Sequence, residues 1–137
     1  VNRKELIQLA REARRRAYAP YSNFQVGAAL LGVSGQVYTG CNVENISFGL
    51  TVCAERVALF KAVSEGEREF RSIAIVTANA ASPCGACRQV LSEFAPALEV
   101  IIASDDSESY ETFSLRDLLP RCFDSIGDVS TVKREGT

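Results

Sequence analysis

The sequence predicts an α/β protein: a mixed sheet carrying helices on both faces. Three observations lead there. At 137 residues, 47% hydrophobic and 23% charged, the chain has the size and composition of one soluble domain, 1–137, with a real core. Two apolar segments near the start flank a short turn signal, which makes them antiparallel neighbours. Strand-like and helix-like segments then alternate, as they do where parallel strands are joined by crossover helices.

Each element has its own signal. Leu6, Leu9, Ala10, Ala13 and Ala17 keep helical spacing, so the N-terminus reads as an amphipathic helix ending before the turn signal APYSN. FQVGAALLGV and QVYTGCNV read as a hairpin turning tightly at Ser34-Gly35. CAERVALFKAVSEG reads as a helix stopped by Gly66. SIAIVTA is a buried strand, PCGACRQVLSEF a helix with Pro83 at its opening, and LEVIIAS a second buried strand. The acidic stretch 104–109 is a loop, and SLRDLL is a short helix with a serine N-cap, stopped by Pro120.

Composition narrows the function. A net charge of −2 leaves no cationic footprint for nucleic acid, and the Arg14–Arg16 run reads as a solvated helix face. No apolar run is long enough to span a bilayer, and the charged amphipathic start does not resemble a signal peptide. The expected location is the cytoplasm. There cysteines stay reduced, so Cys41, Cys53, Cys84, Cys87 and Cys122 should serve packing, metal or redox chemistry. Histidine is absent, which removes Ser-His and Cys-His catalysis and every His-ligated metal.

Cys84 and Cys87 lie on one face of a helix opening, where the helix N-terminus and nearby Arg88 would favour thiolates. Three readings fit such a pair: a redox dithiol, two packed thiols, or metal ligands. A thioredoxin-type dithiol belongs after the first strand of its fold, and this pair comes late. A structural zinc site wants four ligands, commonly two paired clips. Here one clip is joined by the single Cys53, in CAE. Three thiolates leave a tetrahedral position open for a catalytic water, with Glu55 as its proton carrier. Glu55 as fourth ligand, closing the site, is the other possibility. Three thiolates also overcompensate the charge of Zn²⁺. Two helix N-termini and Arg56, placed to donate to a thiolate, would withdraw some of that charge.

VCAER, SPCGACRQV and PYSNFQVGAAL with GCNVENISFGL together closely resemble the small, homotetrameric, zinc-dependent cytidine deaminases. The likeness runs from about Tyr18 to Gln89 and resumes at LLPRCF, covering most of the chain. It implies a three-layer α/β/α fold with a mixed five-stranded sheet, YETF being the candidate fifth strand. It implies one Zn²⁺ per chain on Cys53, Cys84 and Cys87, with Glu55 shuttling protons during hydrolytic deamination of cytidine or deoxycytidine. The backbone N–H of Ala54 would meet the pyrimidine carbonyl, Asn42 and Glu44 the ribose hydroxyls, and Phe24 the base or sugar. Phe123 would stack on the base in a neighbouring subunit's site. Arg56 would neutralise ligand thiolates with Gln89 among its partners, while Cys41 and Cys122 would be packed side chains and Asn45 structural. Shared CAE and PCxxC motifs also admit a deaminase of a nucleoside antibiotic such as blasticidin S. Phe48 stands where many relatives have tyrosine, and TANAA looks shorter than the corresponding segment in many of them.

Overall fold

The computed structural model of the chain describes residues 1–126. In chain order the elements are α1 (Arg3–Arg14), β1 (Gly27–Gly32), β2 (Val37–Cys41), a 3-10 turn (Phe48–Leu50), α2 (Ala54–Ser64), β3 (Phe70–Thr77), α3 (Gly85–Phe94), β4 (Glu99–Ser104), β5 (Tyr110–Ser114) and α4 (Leu115–Leu118). The five strands form one sheet in the order β2-β1-β3-β4-β5. β1 pairs antiparallel with β2 and β3, β3 runs parallel to β4, and β5 returns antiparallel. The sheet is therefore mixed, as expected, and its fifth strand is the YETF segment.

Side chains on each central strand alternate between two cores, as the strand period of two requires. Ala29, Ala74, Val76, Ile101 and Ala103 meet Leu6, Ile7 and Ala10 of α1. Ala28, Leu30, Ile73, Ile75, Val100 and Ile102 meet Ala54, Ala58, Leu59 and Ala62 of α2, with Leu91 of α3 and Leu115 of α4. Helices thus cover both faces, giving three layers.

α1 is started by a reciprocal cap: the Glu5 N–H donates to Asn2 Oδ1 at 2.8 Å, and the Asn2 N–H donates to Glu5 Oε1 at 3.2 Å. Its end comes earlier than the spacing predicts, because tighter bonds from Arg16 to Ala13 and from Ala17 to Arg14 take over after Arg14. The hairpin loop is longer than a two-residue turn, running from Val33 to Gln36 between the strand ends, with Gly35 at φ +95°. Ser114 does occupy the N-cap of α4, but its hydroxyl makes no capping bond, and its backbone closes the β5 pairing opposite Glu99.

Two glycines set how closely helices approach the sheet. A Cβ on Gly27 would lie 2.0 Å from the Ala10 carbonyl oxygen, and one on Gly40 would lie 2.5 Å from that of Ala54. Neither helix backbone can yield without leaving the sheet. Gly27→Ala and Gly40→Ala should each lower stability by about 1–3 kcal/mol, read as an earlier urea midpoint. Only Gly40→Ala moves the start of α2. It alone should therefore weaken metal retention at Cys53, measured as metal content after dialysis; equal loss in both variants would contradict this division between the faces.

Candidate active site and metal centre

Cys53 is the N-cap of α2 and Cys84 the N-cap of α3, while Cys87 lies one turn into α3. Pro83 sits one residue ahead of the cap rather than inside the first turn, buried and holding the chain extended into Cys84. The two helix starts face each other. The Cys53 and Cys84 sulfurs are 3.9 Å apart, those of Cys84 and Cys87 3.4 Å, and all three lie within 4.8 Å of one another. A tetrahedral zinc with bonds of 2.3 Å to sulfur separates its ligands by roughly 3.8 Å. The separations of 3.9 and 3.4 Å lie on either side of that value, so the trio is spaced to hold a zinc ion.

The charges around it favour thiolates. Arg56 donates from Nη2 to Cys53 Sγ at 3.4 Å, and the Cys87 N–H donates to Cys84 Sγ at 3.5 Å. The Cys53 thiol is held down to about 5, first by a hydrogen bond from Cys87 and then by Arg56. Cys87 is pushed up, first because it gives that hydrogen bond and then by burial. The Arg56 Nε is buried with no partner among the described residues, so this guanidinium faces the sulfurs with donor capacity to spare.

Glu55 follows on the first turn of α2 and is 4% exposed. Burial pushes its carboxyl up to about 7, with the negative Cys53 adding to the effect. A carboxyl poised near neutrality can both accept and return a proton. It lines a cavity of about 320 Å³, together with Cys53, Cys84, Phe24, Asn42, Glu44 and Phe48. That cavity is large enough for a small molecule seated against the sulfurs.

Of the other expected contacts, Ala54 is buried at the first position of α2, where a helix leaves its N–H without an internal partner. Asn42 and Glu44 also hold the loop ahead of β1. The Asn42 side chain accepts from the Val26 N–H at 2.9 Å and donates to the Phe24 carbonyl at 2.8 Å. Glu44 Oε1 accepts from the Tyr21 and Ser22 N–H groups at 3.0 and 3.2 Å, and Oε2 accepts from the Ser22 hydroxyl. Phe123 lies outside the cavity of its own chain and is 69% exposed.

Several sequence expectations change. Arg88 does not turn to the thiolates; it donates to the carbonyls of Pro83 and Leu118 and to the Ser82 hydroxyl. Gln89 donates to the Phe123 carbonyl at 2.9 Å. Arg14 is not merely solvated, since it pairs with Asp105 at 3.0 Å and donates to the Gln25 carbonyl. Sequence reasoning also passed over Ser22, Thr77 and Ser82 as cavity-lining residues. Ser22 stood inside an ordinary turn signal and Thr77 at the end of a strand, and neither position announces a ligand.

The hydrogen bond from Ser22, followed by those from the Tyr21 and Ser22 amides, holds the Glu44 carboxyl below its ordinary range. A depressed carboxylate contributes stability above its unfolded pKa and loses it as pH falls through the folded value. Acid should therefore loosen this wall only below the usual carboxylate range. Glu44→Gln should flatten that part of the stability profile, as measured by urea melts from pH 7 to pH 3; an unchanged acid limb would show that Glu44 does not carry it.

Residues 1–104 match the family described as the cytidine and deoxycytidylate deaminase zinc-binding region. The chain is 49% identical over 125 residues to a cytidine deaminase of Halalkalibacterium halodurans, covering 90% of this chain and 95% of that one. Its structure superposes on the crystal structure of cytidine deaminase from Burkholderia pseudomallei with a TM-score of 0.87 and 49% identity, covering 90% of this chain and all of the other. For cytidine deaminase from Mycobacterium tuberculosis the TM-score is 0.79 and the identity 41%, over 90% of this chain and 98% of that one. Together with three sulfurs spaced for zinc at two helix starts, these likenesses place the chain in the zinc-dependent cytidine and deoxycytidylate deaminase family.

Proposed function

We propose that the protein is a cytidine deaminase that hydrolyses cytidine and deoxycytidine to uridine and deoxyuridine, releasing ammonia. The observation that carries this reading is a buried carboxyl, Glu55, in a nucleoside-sized cavity beside three sulfurs spaced for zinc. In this reading Cys53, Cys84 and Cys87 hold the ion, and Arg56 offsets thiolate charge. Zinc, when bound, supplies the Lewis acidity that makes a water nucleophilic at neutral pH.

The chain's own residues then do the following. Glu55 accepts a proton from the water that bonds to C4 and passes it to ring N3. It then carries the remaining hydroxyl proton to the amino nitrogen, so that ammonia leaves as the carbon–nitrogen bond breaks and the C4 carbonyl forms. The Ala54 N–H donates to the pyrimidine carbonyl at the mouth of α2. Asn42 and Glu44 have hydrogen-bonding capacity left beyond their loop contacts, and that capacity meets the ribose hydroxyls. Phe24 covers the base or sugar. Phe123, exposed and outside the lining of its own cavity, reaches a neighbouring copy in a homotetramer. A single catalytic domain spanning the chain, working in the cytoplasm in pyrimidine salvage, completes the proposal.

Charge favours the nucleoside over its 5′-phosphate. Among the described residues the cavity wall contains the carboxylates Glu44 and Glu55 and two of the sulfurs, and neither lysine nor arginine. A phosphate would enter that field uncompensated. The antibiotic-deaminase alternative is not favoured, since the proteins that this chain resembles at 41–49% identity are named cytidine deaminases.

Glu55→Gln should keep one zinc per chain while cytidine turnover falls by about 10²–10⁴-fold. Metal analysis and the absorbance change on deamination report the two quantities separately. Zinc lost along with turnover would make Glu55 a ligand instead and end the proton-carrier reading. In the wild type, deoxycytidine should be turned over far better than deoxycytidylate under the same conditions. Comparable kcat/KM for the two would overturn the charge argument.

A further inference from the structure

Arg88 spends its guanidinium in an unexpected direction. Nε donates to the Pro83 carbonyl at 2.8 Å, Nη1 to the Leu118 carbonyl at 2.6 Å and Nη2 to the Ser82 hydroxyl at 2.8 Å. Pro83 precedes the sulfur ligand Cys84, and Ser82 lines the cavity. Leu118 ends α4, from which the chain runs on to Phe123. One planar fork therefore ties the metal-side wall of the cavity to the C-terminal segment.

The neighbouring residue extends the tie, because Gln89 donates to the Phe123 carbonyl at 2.9 Å. Five consecutive residues of α3, Gly85 to Gln89, thus include a sulfur ligand, the Arg88 fork and the Gln89 contact. Lysine could not replace the fork, since its compact ammonium cannot present three donors in one plane.

We propose that Arg88 is a positioning residue that fixes the Ser82–Cys84 wall, and with it the Cys84 sulfur, against the segment bearing Phe123. Gln89 completes the second half of that brace. The inference rests on the zinc-deaminase reading for its link to turnover, but its primary readout, metal release, does not require any substrate.

Outer partners of metal ligands commonly contribute about 10–100-fold in metal affinity or activity. Zinc-loaded Arg88→Gln should accordingly release zinc to a colorimetric chelator about 10–100-fold faster than wild type. Gln89→Ala, which frees only the Phe123 carbonyl, should release zinc at the wild-type rate while its KM for cytidine rises and kcat holds. Gly27→Ala, destabilised on the opposite face of the sheet, serves as the control for general loosening.

Wild-type zinc release in Arg88→Gln would overturn the proposal. So would acceleration matched by Gly27→Ala, because global destabilisation would then explain it. Should Arg88→Gln not purify folded, Arg88→Lys is read in the same way: faster release supports the brace and unchanged release removes it. If the wild type binds zinc but turns over no cytidine, the functional reading fails, while the release rates still decide the role of Arg88.

Discussion

Two helices begin at the same point in space, and the rest of the site depends on that convergence. Cys53 and Cys84 are the last extended residues before α2 and α3, so each sulfur lies beside backbone N–H groups that have no partner within their own helix. The partial positive charge at those helix ends lowers the cost of gathering thiolates, which would repel one another in a neutral setting. Arg56, one turn along α2, adds a full positive charge against Cys53. The sheet enforces the meeting, since β3 and the parallel β4 set where α3 begins, while Gly40 lets α2 rest on β2.

The same geometry creates the unusual carboxyl. Because Cys53 caps α2, Glu55 must fall in the first turn, and the core beneath Ala54 and Ala58 leaves it almost no water. Burial and the neighbouring sulfur both work against its ionisation, and they lift it toward neutrality. Had the carboxyl been placed on the outer face of α2, solvent would have kept it an ordinary ionised surface group. Proton-carrying capacity here is thus a product of where the helix starts, more than of the residue type alone.

How much could be read in the sequence follows from the range of each interaction. Cys53, Cys84 and Cys87 were legible because ligand identity and local spacing are both written along the chain. The strands were legible as apolar segments between turn signals, and their alternation divides side chains between two cores. The order β2-β1-β3-β4-β5, in contrast, depends on pairings between distant segments. The partners of Arg88 were not, because they belong to residues five positions before it and thirty positions after it. An arginine beside a sulfur motif looks like a thiolate partner until the backbone carbonyls around it are located. Asn42 and Glu44 were identified as polar contacts, but their bonds to the loop 21–26 required knowing that the loop folds back over them.

Those loop bonds divide responsibilities across the molecule. The α1 face is sealed by small side chains on β1 and β3, with Gly27 allowing the closest approach, and it presents none of the cavity residues. The opposite face carries both helix starts, and the loop before β1 is drawn toward it by Asn42 and Glu44. Polar groups that organise a wall lose less entropy on meeting a ligand than mobile ones would, because their rotamers are already fixed. A side chain can then serve folding and recognition together, provided it keeps an unspent donor or acceptor. Asn42 retains a second amide hydrogen and Glu44 unspent acceptor capacity. Their burial is therefore compatible with contact to a ligand in the cavity, and fixed rotamers would give such a contact a defined direction.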